Sequence, residues 1–260
     1  MNIKFVQATR RGVKKLFYIF GYSIVRKNKD FKYYISFQKT LAEAKKCGLS
    51  VGDYIELKYN VPGTPQVTID KMTELGVFDS PIKHICEIGP GSGRYLMKVL
   101  EVCNPDSYEI YETADEWKER LVKEYKVIAH NSNGITLAQT SSQSIDLVHS
   151  HKVLQGLSIL NVCSYFREMA RVVRDNGMVV FDILTEECLD EVSIENWLLS
   201  ANMEDQWIKT MVGKDFAIKY FSNKGLSFIG SFIAPMKPGI TEYFVFKKFG
   251  NINGTVVDKA

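Results

Sequence analysis

The chain has 260 residues, 45% of them hydrophobic and 12% aromatic, with a formal net charge of +3. That is enough apolar material for one large folded domain with an appendage, and it excludes a disordered or highly charged chain. Five cysteines, an odd number with no C-x-x-C pair, and four histidines without an H-E-x-x-H run argue against a disulfide scaffold and a zinc site. They read as reduced thiols of a cytoplasmic protein, with no metal expected.

Charge is unevenly spread. Residues 1–32 hold nine basic side chains and one acid, Asp30, so the remainder carries 24 basic and 29 acidic residues, a net of −5. Within this arm the apolar run from Leu16 to Val25 is shorter than the roughly 20 residues a membrane span needs, and no small-residue cleavage site marks a signal peptide. Basic flanks around Leu16, Phe17, Ile19 and Phe20 fit either a helix docked on the protein's own body or peripheral contact with an anionic membrane surface. Nucleic acid is the weakest of the three readings.

Residues 33–60 predict helix, with Phe37, Leu41 and Ala44 at helical spacing and Gly48 as a stop. The turn-rich NVPGTPQ joint at 60–66 leads to a short helix at about 67–75, closed by Gly76. From residue 82 strands and helices alternate. His84–Ile88 predicts a strand, Arg94–Cys103 a helix, and Tyr108–Glu112 a second strand. Thr113 to Glu116 matches a capping box for a helix reaching about Glu124. Val127–His130 and Ile145–Ser150 follow as strands, then a helix at Asn161–Arg174 with Asn176-Gly177 as its C-cap. Met178–Ile183 is apolar throughout, as a central parallel strand should be. Leu226–Ser231 and Tyr243–Lys247 complete seven strands, joined across APMKPG. The expectation is a doubly wound, mostly parallel α/β sheet with a helical N-terminal extension: 1–76 as arm and extension, 77–250 as the main domain, 251–260 as a tail.

The segment Cys86-Glu87-Ile88-Gly89-Pro90-Gly91-Ser92-Gly93-Arg94 links the first strand to the helix after it, where open α/β sheets bind ligands. A dinucleotide fingerprint needs glycine at position 94, which is Arg, and a P-loop needs G-K-[ST], which is absent. The loop is G-x-G-x-G led by the acid Glu87. Nineteen residues after Gly93, Glu112 ends the second strand, where a carboxylate accepts both hydroxyls of a ribose. Further on stand Asn133-Gly134, then S-I-D-L-V-H-S-H at 144–151.

Taken together, E-I-G-P-G-S-G-R, the strand-end Glu112, S-I-D-L-V and the later Phe181-Asp182 resemble the motifs of class I S-adenosylmethionine-dependent methyltransferases, over roughly residues 82–248. The resemblance implies S-adenosyl-L-methionine as cofactor and S-adenosyl-L-homocysteine as its product. It assigns Glu87, Ile88, Gly89, Pro90, Gly91, Gly93, Glu112, Thr113, Asn133, Gly134 and Ser150 to the cofactor. Asn133 stands where the family often has an acid for the adenine amino group; an amide oxygen accepts the same bond without charge. His151 and His149 are the candidate general bases, His151 foremost because it lies further past the strand end. Tyr54, Tyr59 and Trp197 are candidate substrate contacts, although aromatic side chains more often fill cores. No [DNS]-P-P-[YFW] follows the fourth strand, which argues against amino methylation by that route. The arm and core also resemble methyltransferases of polysaccharide and glycan assembly, which implies a small-molecule or glycan acceptor methylated on oxygen. The competing readings are an RNA methyltransferase, which the basic arm favours and the acidic body does not, and a non-catalytic protein that binds S-adenosylmethionine.

Overall fold

The structure, a computed structural model, describes residues 35–200, 209–237 and 239–250. The basic arm and the tail lie outside these residues, as does the side chain of Trp197. Two helices come first, α1 (Phe37–Lys46) and α2 (Val51–Tyr59), capped by the hydroxyls of Ser36 and Ser50. Helix α3 (Thr64–Glu74) starts at Gly63 with a proline in its first turn and ends before Gly76, whose φ of 74° only glycine adopts freely.

Seven strands form one sheet: β1 (His84–Ile88), β2 (Ser107–Glu112), β3 (Ile128–Asn131), β4 (Ile145–Ser150), β5 (Val173–Ile183), β6 (Leu226–Pro235) and β7 (Ile240–Lys248), in the order β3-β2-β1-β4-β5-β7-β6. Strands β1 to β5 pair in parallel, and β7 runs antiparallel to both β5 and β6. This is the mostly parallel doubly wound sheet that the sequence predicts. The order doubles back between β1 and β4, a switch point with the glycine turn at its mouth.

Side chains alternate across the sheet and build two cores. On one face Ile88, Val148, Val179 and Phe181 pack against Val162, Phe166 and Met169 of α6 (Ile159–Val172) and Phe221 of α8 (Lys214–Ser222). On the other, Ile85, Leu147, Val180, Tyr243 and Val245 meet Ile69 and Met72 of α3, Leu96 and Val99 of α4 (Arg94–Val102), and Leu121 of α5 (Asp115–Glu124). Helix α7 (Glu191–Ser200) lies between β5 and α8 along the chain. Helix α3 thus shares the core of the sheet, burying Ile69 and Met72 in it.

Three local expectations change. The capping box does not form: the N-cap is Ala114, and the Thr113 hydroxyl turns back to Glu112 at 3.5 Å. The Asn176-Gly177 pair is no helix C-cap. Helix α6 ends at Val172, its cap residue Val173 already begins β5, and the pair sits in a register shift between Ile145↔Val173 and Leu147↔Met178. Asn176, with φ 63°, makes that bulge a backbone turn that imitates a cap signal. The last two strands are longer than their apolar runs suggest, since β6 and β7 pair along Leu226–Pro235 and Ile240–Lys248.

Candidate functional site

The glycine turn between β1 and α4 has three glycines with positive φ, at 66°, 53° and 77° for Gly89, Gly91 and Gly93. They are glycines for different reasons. A Cβ on Gly89 would come within 2.6 Å of Val153 Cγ2, and one on Gly93 within 2.6 Å of Leu121 Cδ2, so these two let neighbouring segments close in. A Cβ on Gly91 would meet nothing within 4 Å: it faces open space. The turn is braced from α5, where Arg120 Nη1 donates to the Ser92 carbonyl at 2.9 Å.

Glu112 closes the turn from β2. Its Oε2 accepts the Gly91 N–H at 2.9 Å, and its Oε1 accepts the Ala114 N–H at 2.9 Å. Burial raises its pKa, opposed by these backbone donors. Ile88 and Pro90 are buried in the turn, and the Ser150 hydroxyl donates to the Ile88 carbonyl at 3.2 Å, tying β4 to it. Asn133 goes elsewhere than expected. Its Oδ1 accepts the N–H groups of Ile135 and Thr136, both at 2.9 Å, so its acceptor shapes the turn that contains Gly134.

Next to the turn, on the face covered by α3 and α4, lies a buried polar cluster. The Tyr108 hydroxyl contacts Glu87 Oε2 at 2.7 Å and His149 Nε2 at 2.9 Å. His149 Nδ1 lies 2.8 Å from His151 Nε2, and His151 Nδ1 lies 3.2 Å from the Tyr243 hydroxyl. Tyr95 stacks on His151 with ring centroids 4.0 Å apart. Burial pushes Glu87 up to about 8 and His149 down to about 3. His151 is held well below its ordinary value by burial, helped by the charges of Lys152 and Arg94. Both imidazoles are therefore uncharged at neutral pH. One acid and two imidazoles, with donor atoms within 4.8 Å of one another, are also a set of the kind that holds metals; histidine spacing alone gave no sign of it, since Glu87 is 62 positions from His149.

A second cluster anchors the segment after β4. Asp182 accepts the Lys152 N–H at 2.7 Å, Gln155 Nε2 at 2.6 Å and the Thr241 hydroxyl at 3.1 Å. Lys152 takes φ 59° there and donates from Nζ to the Pro235 carbonyl at 3.1 Å. Arg94 Nη1 is buried without a protein partner, and Gln155 Oε1 likewise. A cationic donor left open beside a glycine turn, an open face at Gly91 and a carboxylate at the end of β2 suit a cofactor that carries a carboxylate, an adenosyl ribose and no phosphate.

The structure thus brings Glu87, the glycine turn, Glu112, Thr113, Ser150, His149 and His151 to the carboxyl ends of neighbouring strands. It takes Tyr54 elsewhere, into a small apolar cluster with Ala44, Val51, Ile55 and Trp117, while Tyr59 is exposed. Tyr108, Tyr243, Tyr95 and Lys152 were not legible as site residues. Tyr108 and Tyr243 look like ordinary apolar strand positions, and only their hydroxyls' partners distinguish them.

A family model described as "Methyltransferase domain" matches residues 64–226. No curated protein matches the sequence. Among solved structures the chain is similar to magnesium protoporphyrin IX methyltransferase from Synechocystis PCC 6803 with bound SAH, at 9% identity and TM-score 0.55, covering 92% of this chain and 99% of that one. It is also similar to the N-methyltransferase NodS from Bradyrhizobium japonicum WM9 in complex with SAH, at 12% identity and TM-score 0.54, over 80% and 98% of the two chains. An O-methyltransferase family protein from Burkholderia thailandensis aligns at 15% identity and TM-score 0.56, over 72% and 56%. Among the described residues no helix is long and apolar enough to cross a membrane. The glycine turn, the carboxylate that closes it and a family match over more than half the chain lead to one conclusion: the chain belongs to the methyltransferase-domain family and is an S-adenosylmethionine-dependent methyltransferase of the class I fold.

Proposed function

We propose that the protein transfers the methyl group to a hydroxyl of a small-molecule acceptor, a sugar hydroxyl being the class we favour. The carrying observation is the pair of uncharged imidazoles, His149 and His151, in contact at 2.8 Å at the end of β4 beside the glycine turn. Oxygen acceptors have to lose a proton as the new bond forms, and a neutral imidazole takes it. His151 is the proposed proton-accepting group. Glu112 holds the ribose, the turn from Glu87 to Gly93 lines the cofactor's amino-acid end with Thr113 and Ser150 behind it, and Asn133 shapes the Gly134 turn at the adenine end. S-adenosylmethionine supplies an electrophilic methyl group; the protein's own residues position the acceptor and receive its proton. Tyr59 remains a candidate acceptor contact, as does Trp197, whose side chain lies outside the described residues. Peripheral membrane contact through the basic arm would bring a lipid-linked sugar within reach.

The test is a product assay on the full chain with S-adenosylmethionine and panels of sugars, amines and RNA, following S-adenosylhomocysteine. O-methylated sugar is the expected product. His151→Ala should lower turnover by about 100-fold or more while the cofactor dissociation constant stays unchanged. Transfer confined to amines, or to RNA with salt-sensitive binding, would reject the sugar reading.

A further inference from the structure

The buried cluster is one unbroken hydrogen-bonded chain: Glu87, Tyr108, His149, His151, Tyr243. Each member is no more than 5% exposed. Beyond it the Tyr243 hydroxyl lies 3.5 Å from that of Tyr95 on α4. Each contact can hold one proton, which fixes the tautomers once one end is set. With Glu87 ionised, Tyr108 donates to it and His149 donates from Nε2 to Tyr108. His149 Nδ1 then accepts from His151 Nε2, and His151 Nδ1 accepts from Tyr243. With Glu87 protonated every bond reverses: Glu87 donates to Tyr108, Tyr108 to His149 Nε2, His149 Nδ1 to His151 Nε2, and His151 Nδ1 to Tyr243. Both polarities satisfy every contact and leave both imidazoles neutral, and they differ by one proton.

We propose that this chain is a proton relay, with Glu87 as the terminal store for the proton that the methyl acceptor gives up. The proposal rests on the hydroxyl-acceptor reading above. As the acceptor oxygen bonds the methyl carbon, the carbon–sulfur pair goes to sulfur, the acceptor O–H proton passes to the Tyr243 oxygen, and Tyr243 gives its own proton to His151 Nδ1. His151 Nε2 gives its proton to His149 Nδ1, His149 Nε2 to the Tyr108 oxygen, and Tyr108 to Glu87 Oε2. No oxidant, metal or second base is required.

Two observations and one electrostatic argument support this direction. Neither imidazole can keep the proton: His149 is pushed down to about 3 by burial alone, and Arg94 and Lys152, the latter paired with Asp182 at 3.5 Å, add to the penalty on His151. Glu87 does the reverse, because a buried carboxylate gains by becoming neutral, and Glu112 across the turn raises it further. Glu87 ionises more readily while a sulfonium cation sits in the cleft and takes up a proton more readily once that charge is gone. The same donors compete poorly as a metal centre. The facing imidazole nitrogens stand 2.8 Å apart, a hydrogen bond, where two nitrogens on a tetrahedral zinc would keep about 3.3 Å.

The relay is tested on the cofactor-free full chain by nitrogen NMR of labelled histidines across the pH range around 8, with infrared detection of the Glu87 carboxyl. In the wild-type protein both histidines should switch tautomer together as Glu87 titrates. Glu87→Gln, whose amide donates as the protonated acid does, should lock both in the Nδ1–H form. Tyr108→Phe should leave Glu87 titrating while the histidines no longer follow, and should lower turnover about 100-fold with cofactor affinity retained. Histidine tautomers indifferent to Glu87 in the wild-type protein would overturn the relay, as would a stoichiometric metal bound by these side chains. Because the tautomers are read without cofactor, failure of the relay is distinguishable from failure of the acceptor assignment, which the product assay reads.

Discussion

The Gly91 N–H donates to Glu112 Oε2 at 2.9 Å, joining the turn after β1 to the end of β2 across 21 positions of sequence. One oxygen of this carboxylate thereby sets the loop, and the other accepts the Ala114 N–H at the start of α5; on the proposed reading the same group holds the ribose. Glu112→Gln keeps the shape but halves the acceptor capacity and removes the charge. We expect cofactor affinity to fall about 10- to 100-fold, equivalent to about 1.5–3 kcal/mol, read by calorimetry.

The glycines of the turn should separate by phenotype. At Gly93 a Cβ overlaps Leu121 Cδ2, so Gly93→Ala should cost about 1–3 kcal/mol of stability through overlap and left-handed backbone together. At Gly91 the space is open, so Gly91→Ala should cost only the backbone share of about 1 kcal/mol yet impair cofactor binding. Denaturant unfolding and calorimetry on the two variants check this ordering; equal effects on binding and stability would contradict it.

Phe166 of α6 lies among Phe181 and Phe221, with ring centroids 4.8 and 5.0 Å away, and is fully buried. Phe166→Ala should destabilise the domain by about 3–5 kcal/mol, seen as a lower denaturation midpoint. Leu160, 77% exposed and six residues earlier in the same helix, should tolerate alanine with little change.

Glu87 also predicts a pH dependence of stability. Its folded pKa is raised from 4.5 to about 8, so the native state holds the proton more tightly than the unfolded chain does. Stability from this group is full below about 4.5 and declines as pH rises toward about 8. The histidines contribute the opposite slope, but only below 6.5, their ordinary value. Between pH 6.5 and 8, then, melting temperature should fall with pH, by a free-energy slope on the order of 1 kcal/mol per pH unit. Glu87→Gln should flatten that interval; an unchanged slope would show that Glu87 does not titrate there.

Much of the molecule was already written along the chain. Alternating β and α periods, apolar strands such as Met178–Ile183, and three glycines led by Glu87 are local signals, and they determined the sheet, the cofactor turn and the placement of Glu112. Local signals also misled: Asn176-Gly177 looks like a helix cap but forms a strand bulge, because its neighbours pair with β4. Only the tertiary structure decided what surrounds the histidines. Tyr108 and Tyr243 stand 41 and 94 positions from His149, and their hydroxyls become relay partners solely because β1, β2, β4 and β7 turn the same face toward α3 and α4. Which face a residue occupies follows from strand register, and protonation follows from burial. Neither is a property of the residue type alone.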